Sequence, residues 1–191
     1  MKRICVFAGS NRGVNPQFEQ MAKALGIELA ARGLELVYGG SNAGLMGCIA
    51  NTVLERGGKA IGVMPTGLFR GEMVHTGLTE LYEVKDMHER KAKMGELADA
   101  FVALPGGYGT FEEVFEVVSW GQLGIHSKPV GLLNTAGYYT PLMEMVKTAV
   151  DAGFIPATHT ELLICESEPA RLLERLHHYQ PPAKTNKWST P

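Results

Sequence analysis

Short, continuously apolar runs alternate along the chain with longer stretches of helical periodicity, and this rhythm leaves few folds open. A strand that is apolar at nearly every interior position must be buried on both faces, which happens in parallel sheets covered by helices on either side. The expected strands are Arg3 to Ala8, Leu34 to Tyr38, Lys59 to Met64, Glu80 to Val84, Ala100 to Leu104, Val130 to Leu133 and Leu162 to Ile164. Between them, Pro16 to Ala31 places Phe18, Met21, Leu25 and Leu29 on one helical face, with Gly33 where a C-cap glycine would stand. Further helices are expected over Gly44 to Glu55, Met87 to Ala98, Thr110 to Leu123, Thr140 to Asp151 and Glu168 to His178. The fold class is therefore α/β: a Rossmann-like, doubly wound, mostly parallel sheet of about seven strands with helices on both faces.

A chain of 191 residues is the size of one domain. Residues 1–179 are expected to form it, with 180–191 a flexible tail in which two adjacent prolines precede a polar run. Pro65 to Thr79 shows neither period and reads as an active-site loop. The net charge of −2, with acids and bases scattered, offers no basic stripe for a nucleic-acid polymer. Gly9-Ser10-Asn11 interrupts the apolar start too early for a signal peptide, and no run suggests a membrane span. Cys5, Cys48 and Cys165 are far apart and odd in number, which fits free thiols in the cytoplasm.

In an open parallel sheet the ligand crevice lies at the carboxyl ends of the strands, so the turns just after strands are the informative ones. Three are rich in glycine: Gly9-Ser10-Asn11, Gly39-Gly40-Ser41-Asn42-Ala43-Gly44 and Pro105-Gly106-Gly107-Tyr108-Gly109-Thr110. Glycine lets backbone approach an anion closely, and the following helix offers free N–H groups at the positive end of its dipole. Any one turn could need glycine merely to reverse direction, but three on one sheet edge would converge on one crevice. The dinucleotide fingerprint is absent, since the first turn is spaced differently and the second strand ends in Tyr38-Gly39-Gly40 without an acid. The phosphate loop of ATPases is also absent, because Gly39 to Gly47 contains no lysine.

Taken alone, Glu112, Glu113 and Glu116 could simply complement a helix dipole, and the basic residues after Asp86 could be a solvated face. Together with the turn before it, however, Pro105-Gly106-Gly107-Tyr108-Gly109-Thr110-Phe111-Glu112-Glu113 resembles the P-G-G-x-G-T-x-x-E signature of the LOG ("Lonely Guy") family. Met87-His88-Glu89-Arg90-Lys91, Gly39 to Gly47 and Trp120 to His126 are similar to further segments of that family, and the resemblance covers roughly residues 1–178. It implies cytokinin riboside 5′-monophosphate phosphoribohydrolase activity: cleavage of the N-glycosidic bond of a nucleoside 5′-monophosphate such as AMP, giving free base and ribose 5-phosphate. It assigns catalysis to Arg90 and Glu113, and aligns Glu72 with a substrate-contacting acid. Gly9, Ser10, Gly40, Ser41, Met87, Lys91, Pro105 to Thr110 and Glu112 complete the expected substrate site, which includes Gly106, Gly107, Tyr108 and Gly109.

The residue types suit that chemistry. A carboxylate beside C1′ stabilises the positive charge that builds on the ribose and can activate water, whereas a guanidinium binds phosphate or ribose oxygens and orients the carboxylate. No metal or other cofactor is expected, because His75, His88, His126 and His159 are dispersed. The helix after the motif carries Phe111, Val114, Phe115, Val117, Val118, Trp120 and Leu123, more apolar surface than one contact requires. It is either sandwiched within the fold or, as the resemblance implies, part of a homodimer interface. Two other readings stay open: a module that binds a nucleotide without turning it over, and the lysine decarboxylase of the family's older label. The latter would need a Schiff-base lysine for pyridoxal phosphate, for which Lys128 is only a loop residue.

Overall fold

The computed structural model describes residues 1–66 and 74–182. Seven strands form one sheet, β1 (Arg3–Phe7), β2 (Glu35–Tyr38), β3 (Ala60–Pro65), β4 (Glu80–Val84), β5 (Ala100–Ala103), β6 (Val130–Leu133) and β7 (Leu163–Glu166). Their order is β4-β3-β2-β1-β5-β6-β7, and every pairing is parallel. Six helices accompany them: α1 (Pro16–Ala31), α2 (Gly44–Glu55), α3 (Met87–Leu97), α4 (Tyr108–Gln122), α5 (Thr140–Asp151) and α6 (Pro169–His177). Among the described residues no helix is long and apolar enough to cross a membrane.

Both faces of the sheet are packed, which is why the strands read as unbroken apolar runs. Alternation along β1 sends Ile4 and Val6 into a layer with Leu25 and Leu29 of α1, Ile49 and Val53 of α2, and Leu172 and Leu176 of α6. Cys5 and Phe7 point the other way, towards Met94 of α3, Val114 and Val117 of α4, and Val146 of α5. The three cysteines are free thiols, two of them buried. Edge strand β4 exposes Glu80 and Glu83, the charged cover that discourages pairing with another chain.

Most boundaries fall within one residue of those expected; two differ by two residues, and one of these matters for chemistry. Helix α4 begins at Tyr108 rather than Thr110, so Gly109 lies inside the first turn and Gly107 is the N-cap. A glycine there costs helix propensity, which is why pattern alone starts the helix later. At the other boundary, Ala157–Leu162 forms a 3-10 turn and β7 follows it as Leu163–Glu166. Residues 67–73 of the segment expected to be an irregular loop, and most of the expected tail, lie outside the described residues.

The sheet order fixes the site. Chain order runs outward to β4 on one side of β1 and to β7 on the other, so the switch point falls between β1 and β5. At such a point the loops leaving the two adjacent strands diverge to opposite faces and open a crevice. These loops are the first and third glycine-rich turns.

Candidate active site

The three turns are in contact. Gly9 N–H donates to the Pro105 carbonyl at 3.1 Å, and Leu45 N–H donates to the Gly9 carbonyl at 3.0 Å. The approach leaves no room for side chains. A Cβ on Gly106 would stand 2.1 Å from the Thr110 hydroxyl and 2.9 Å from Gly9 N, and one on Gly44 would stand 2.2 Å from the Ser10 carbonyl carbon. Gly44 also has φ of 57°, which side-chain-bearing residues rarely adopt.

Over these turns lies a cleft of about 390 Å³, within the range that small-molecule sites occupy. Gly9 and Ser10 line it from the turn after β1, Met87 and Arg90 from α3, and Pro105, Gly106, Gly107, Tyr108, Gly109, Thr110, Glu112 and Glu113 from the third turn and α4. Gly40, Ser41 and Lys91 are not in its wall. Gly40 takes φ of 80° and its carbonyl accepts from His75 N–H, while the buried Ser41 hydroxyl accepts from Ala43 N–H, so both shape the second turn from behind. Lys91 binds Glu112 and, at 2.9 Å, Glu116, clamping α3 to α4. Glu72 lies outside the described residues.

Helix α4 enters the cleft with its donors free. Phe111 N–H makes the first helical bond, to Gly107 O at 3.0 Å, and no side chain caps the terminus. The N–H groups of Tyr108, Gly109 and Thr110 precede that bond and have no partner within the helix.

Arg90 is placed by three features. The Asp86 carboxylate caps α3 by accepting from the N–H groups of His88 and Glu89, and these bonds hold its carboxyl below the usual range. Glycine at position 39 leaves a bed for the guanidinium, since a Cβ there would lie 1.8 Å from Nη2. Finally, Nη2 donates to the Gly39 carbonyl at 3.1 Å, whereas the buried Nε has no hydrogen-bond partner.

Glu113 faces the same space one turn into α4. Burial pushes its carboxyl up to about 7, and Arg90 opposes that rise without a direct ion pair, with Glu112 adding to it. A carboxyl balanced between its two forms near neutral pH can exchange a proton with water or a leaving group. Beside it are a permanent cation and a cluster of backbone donors, a set able to hold an anionic ligand and stabilise charge at an adjacent carbon.

Several wall residues carry no separate signal in the sequence. Phe18 belongs to the apolar stripe of α1, Leu45 and Met46 to that of α2, and Tyr138 to an unremarked turn after β6. Arg12, whose Nη1 pairs with Glu19 at 3.0 Å, completes one rim.

The family model described as "Possible lysine decarboxylase" matches residues 46–176. A protein from Oryza sativa subsp. japonica, named "Probable cytokinin riboside 5'-monophosphate phosphoribohydrolase", is 51% identical over 94% of this chain and 79% of its own length. An Arabidopsis thaliana protein named cytokinin riboside 5′-monophosphate phosphoribohydrolase is 47% identical over 94% of this chain and 83% of its own. Among solved structures, the molybdenum cofactor binding protein from Rippkaea orientalis superposes with a TM-score of 0.68 at 22% identity, over 93% of this chain and 97% of its own, a likeness of fold. Identity near one half over almost the whole chain, with the signature turn and helix intact, means that this protein belongs to the LOG family.

Proposed function

We propose that the protein hydrolyses the N-glycosidic bond of nucleoside 5′-monophosphates of the AMP type, cytokinin riboside monophosphates included. The 5′-phosphate sits on the N–H groups at the start of α4 with the Thr110 hydroxyl, and Arg90 holds phosphate or ribose oxygens and orients Glu113. As a carboxylate, Glu113 stabilises the cationic ribose and takes a proton from the attacking water. Water oxygen bonds to C1′, the bond from C1′ to the base nitrogen breaks, and the proton taken up by Glu113 passes on to the departing base. The observation that carries this reading is a carboxyl pushed up to about 7 beside a permanent cation, in the cleft at the sheet's switch point. The names of relatives at 47–51% identity support it.

Incubation with AMP is expected to release adenine and ribose 5-phosphate in equal amounts. Glu113→Gln should keep AMP binding and lose about 10²-fold or more in turnover. AMP left intact by the parent protein, while still bound, would favour a nucleotide-sensing module instead. Turnover by the Gln variant at the parent rate would remove Glu113 from its role.

A pyridoxal-dependent lysine decarboxylase does not fit the residues present, because no described lysine lines the cleft. Lys91 is committed to Glu112 and Glu116, and Lys128 Nζ donates to the Gly95 carbonyl at 2.7 Å. We further propose a cytoplasmic homodimer built on the α4 side. Phe115, and Leu123 and Ile125 just beyond the helix, are exposed there, and three free thiols suit a reducing compartment. Sedimentation at twice the chain mass of 20.7 kDa would support the dimer.

A further inference from the structure

Where β5 leads into the signature turn, three carbonyls in succession are tied to donors elsewhere in the fold. Leu104 O accepts from the Tyr139 hydroxyl at 2.7 Å, Pro105 O from Gly9 N–H at 3.1 Å, and Gly106 O from the Tyr138 hydroxyl. Two consecutive tyrosines of the β6 to α5 turn therefore grip carbonyls on either side of Pro105. Their rings stand edge to face, 5.1 Å apart at 86°, so the hydroxyls diverge to separate targets.

The two phenols differ in surroundings. Tyr139 is fully buried in the sheet's α3–α5 layer, where its bond is a structural necessity. Tyr138 is half-buried, lines the cleft, and is wedged between Phe18 of α1, edge-on at 5.7 Å, and Phe111 of α4, stacked at 6.4 Å. Its turn contains Ala136 at φ of 51°, among the described residues the one non-glycine with positive φ, and is pinned by Tyr139 N–H donating to the Asn134 side chain at 2.7 Å. The fold thus accepts a strained backbone in the segment that delivers Tyr138.

In a trans peptide the C=O and N–H point in opposite directions. Holding Gly106 O on the phenol fixes the N–H of Gly107 on the other side of the same peptide plane. Because that peptide joins two glycines, no side chain resists its rotation, and a flipped plane would present a carbonyl lone pair to an anion.

We propose that Tyr138 is a positioning residue of the anion subsite: its hydroxyl locks the Gly106–Gly107 peptide so that N–H groups, and no carbonyl, meet a ligand's 5′-phosphate. This rests on the proposed phosphate placement and extends it to the group that keeps the subsite selective for an anion.

The test compares the parent protein with Tyr138→Phe and Tyr139→Phe, measuring calorimetric affinity for ribose 5-phosphate, AMP and adenosine, steady-state hydrolysis of AMP, and thermal midpoint. Tyr138→Phe keeps the ring and its contacts. It should weaken ribose 5-phosphate and raise KM for AMP about 10-fold, the scale of one lost hydrogen bond. Adenosine affinity, kcat and the thermal midpoint should stay near the parent values, because grip on a non-reacting group is lost equally from ground and transition states. Tyr139→Phe should lower the midpoint while leaving the preference for AMP over adenosine unchanged. Equal weakening of adenosine and AMP by Tyr138→Phe, or unchanged binding of both, would overturn the proposal and leave the hydrolase reading intact. A parent protein that binds ribose 5-phosphate no better than ribose would overturn both.

Discussion

Replacing Gly39 by alanine separates the placement of Arg90 from the stability of the fold. The added Cβ would lie 1.8 Å from Arg90 Nη2, 3.0 Å from Cζ and 3.3 Å from Met46 Sδ. Heavy atoms settle near 3.5 Å or more apart, so the guanidinium must retreat by about 1.5–2 Å, losing its 3.1 Å bond to the Gly39 carbonyl. None of these nearest atoms is backbone, and Gly39 lies outside the positive-φ region, so the flexible end of Arg90 takes nearly all of the displacement and Met46 Sδ yields a few tenths of an ångström. The smaller entropy of the alanine-bearing unfolded chain offsets part of any native-state cost. A misplacement of this size costs on the order of 10²-fold in rate. Gly39→Ala should therefore lose about two orders of magnitude in adenine release while its thermal midpoint stays within a few degrees of the parent. In an Arg90→Ala background the same substitution should change the rate by less than about 2-fold, since the guanidinium is no longer there to be displaced. A fully active Gly39→Ala, or losses that simply multiply in the double variant, would refute the bed-for-arginine argument.

Gly44→Ala is the opposite case. Its Cβ meets the Ser10 backbone at 2.2 Å, and φ is 57°, so backbone must move and stability should fall by about 2–4 kcal/mol, read as a lower midpoint in thermal melts. The pH profile of adenine release should rise about tenfold per unit below pH 7 and level above it as Glu113 ionises; a flat profile from pH 5 to 9 would contradict its role as the active carboxylate. Because the folded-state value, about 7, exceeds the ordinary 4.5, Glu113 favours folding below 4.5 and loses that contribution as pH rises through 7. Glu113→Gln should therefore be more stable than the parent at pH 8–9, by about 1–3 kcal/mol, and the gap should close as pH falls below 4.5. Arg90 opposes the rise, so Arg90→Ala should shift the rate profile to higher pH.

Much of this fold is written locally. Runs such as Ile4-Cys5-Val6-Phe7 and Phe101-Val102-Ala103 are apolar at every position because both faces of β1 and β5 are covered. The helical stripes of α1 and α2 follow from the 3.6-residue period, and the glycine turns mark the strand ends where a crevice must open. The signature from Pro105 to Glu113, with Arg90 on the helix immediately before it, identifies the chemistry because motif and spacing are properties of the chain.

What no window of sequence contains is the meeting of distant segments. Gly39 matters because Arg90, 51 residues later, rests on it; Tyr138 matters because it reaches back 32 residues to Gly106. Lys91, next to Arg90 in sequence, is turned aside to bridge α3 and α4, although its charge makes it an equally good ligand on paper. The carboxyl of Glu113 is indistinguishable in sequence from those of Glu112 and Glu116, and burial in the folded chain singles it out. Local propensity and periodicity act over a few residues and set elements and turns; desolvation, close backbone approach and long-range hydrogen bonds arise only when those elements are stacked, and they decide which of several similar side chains belongs to the site.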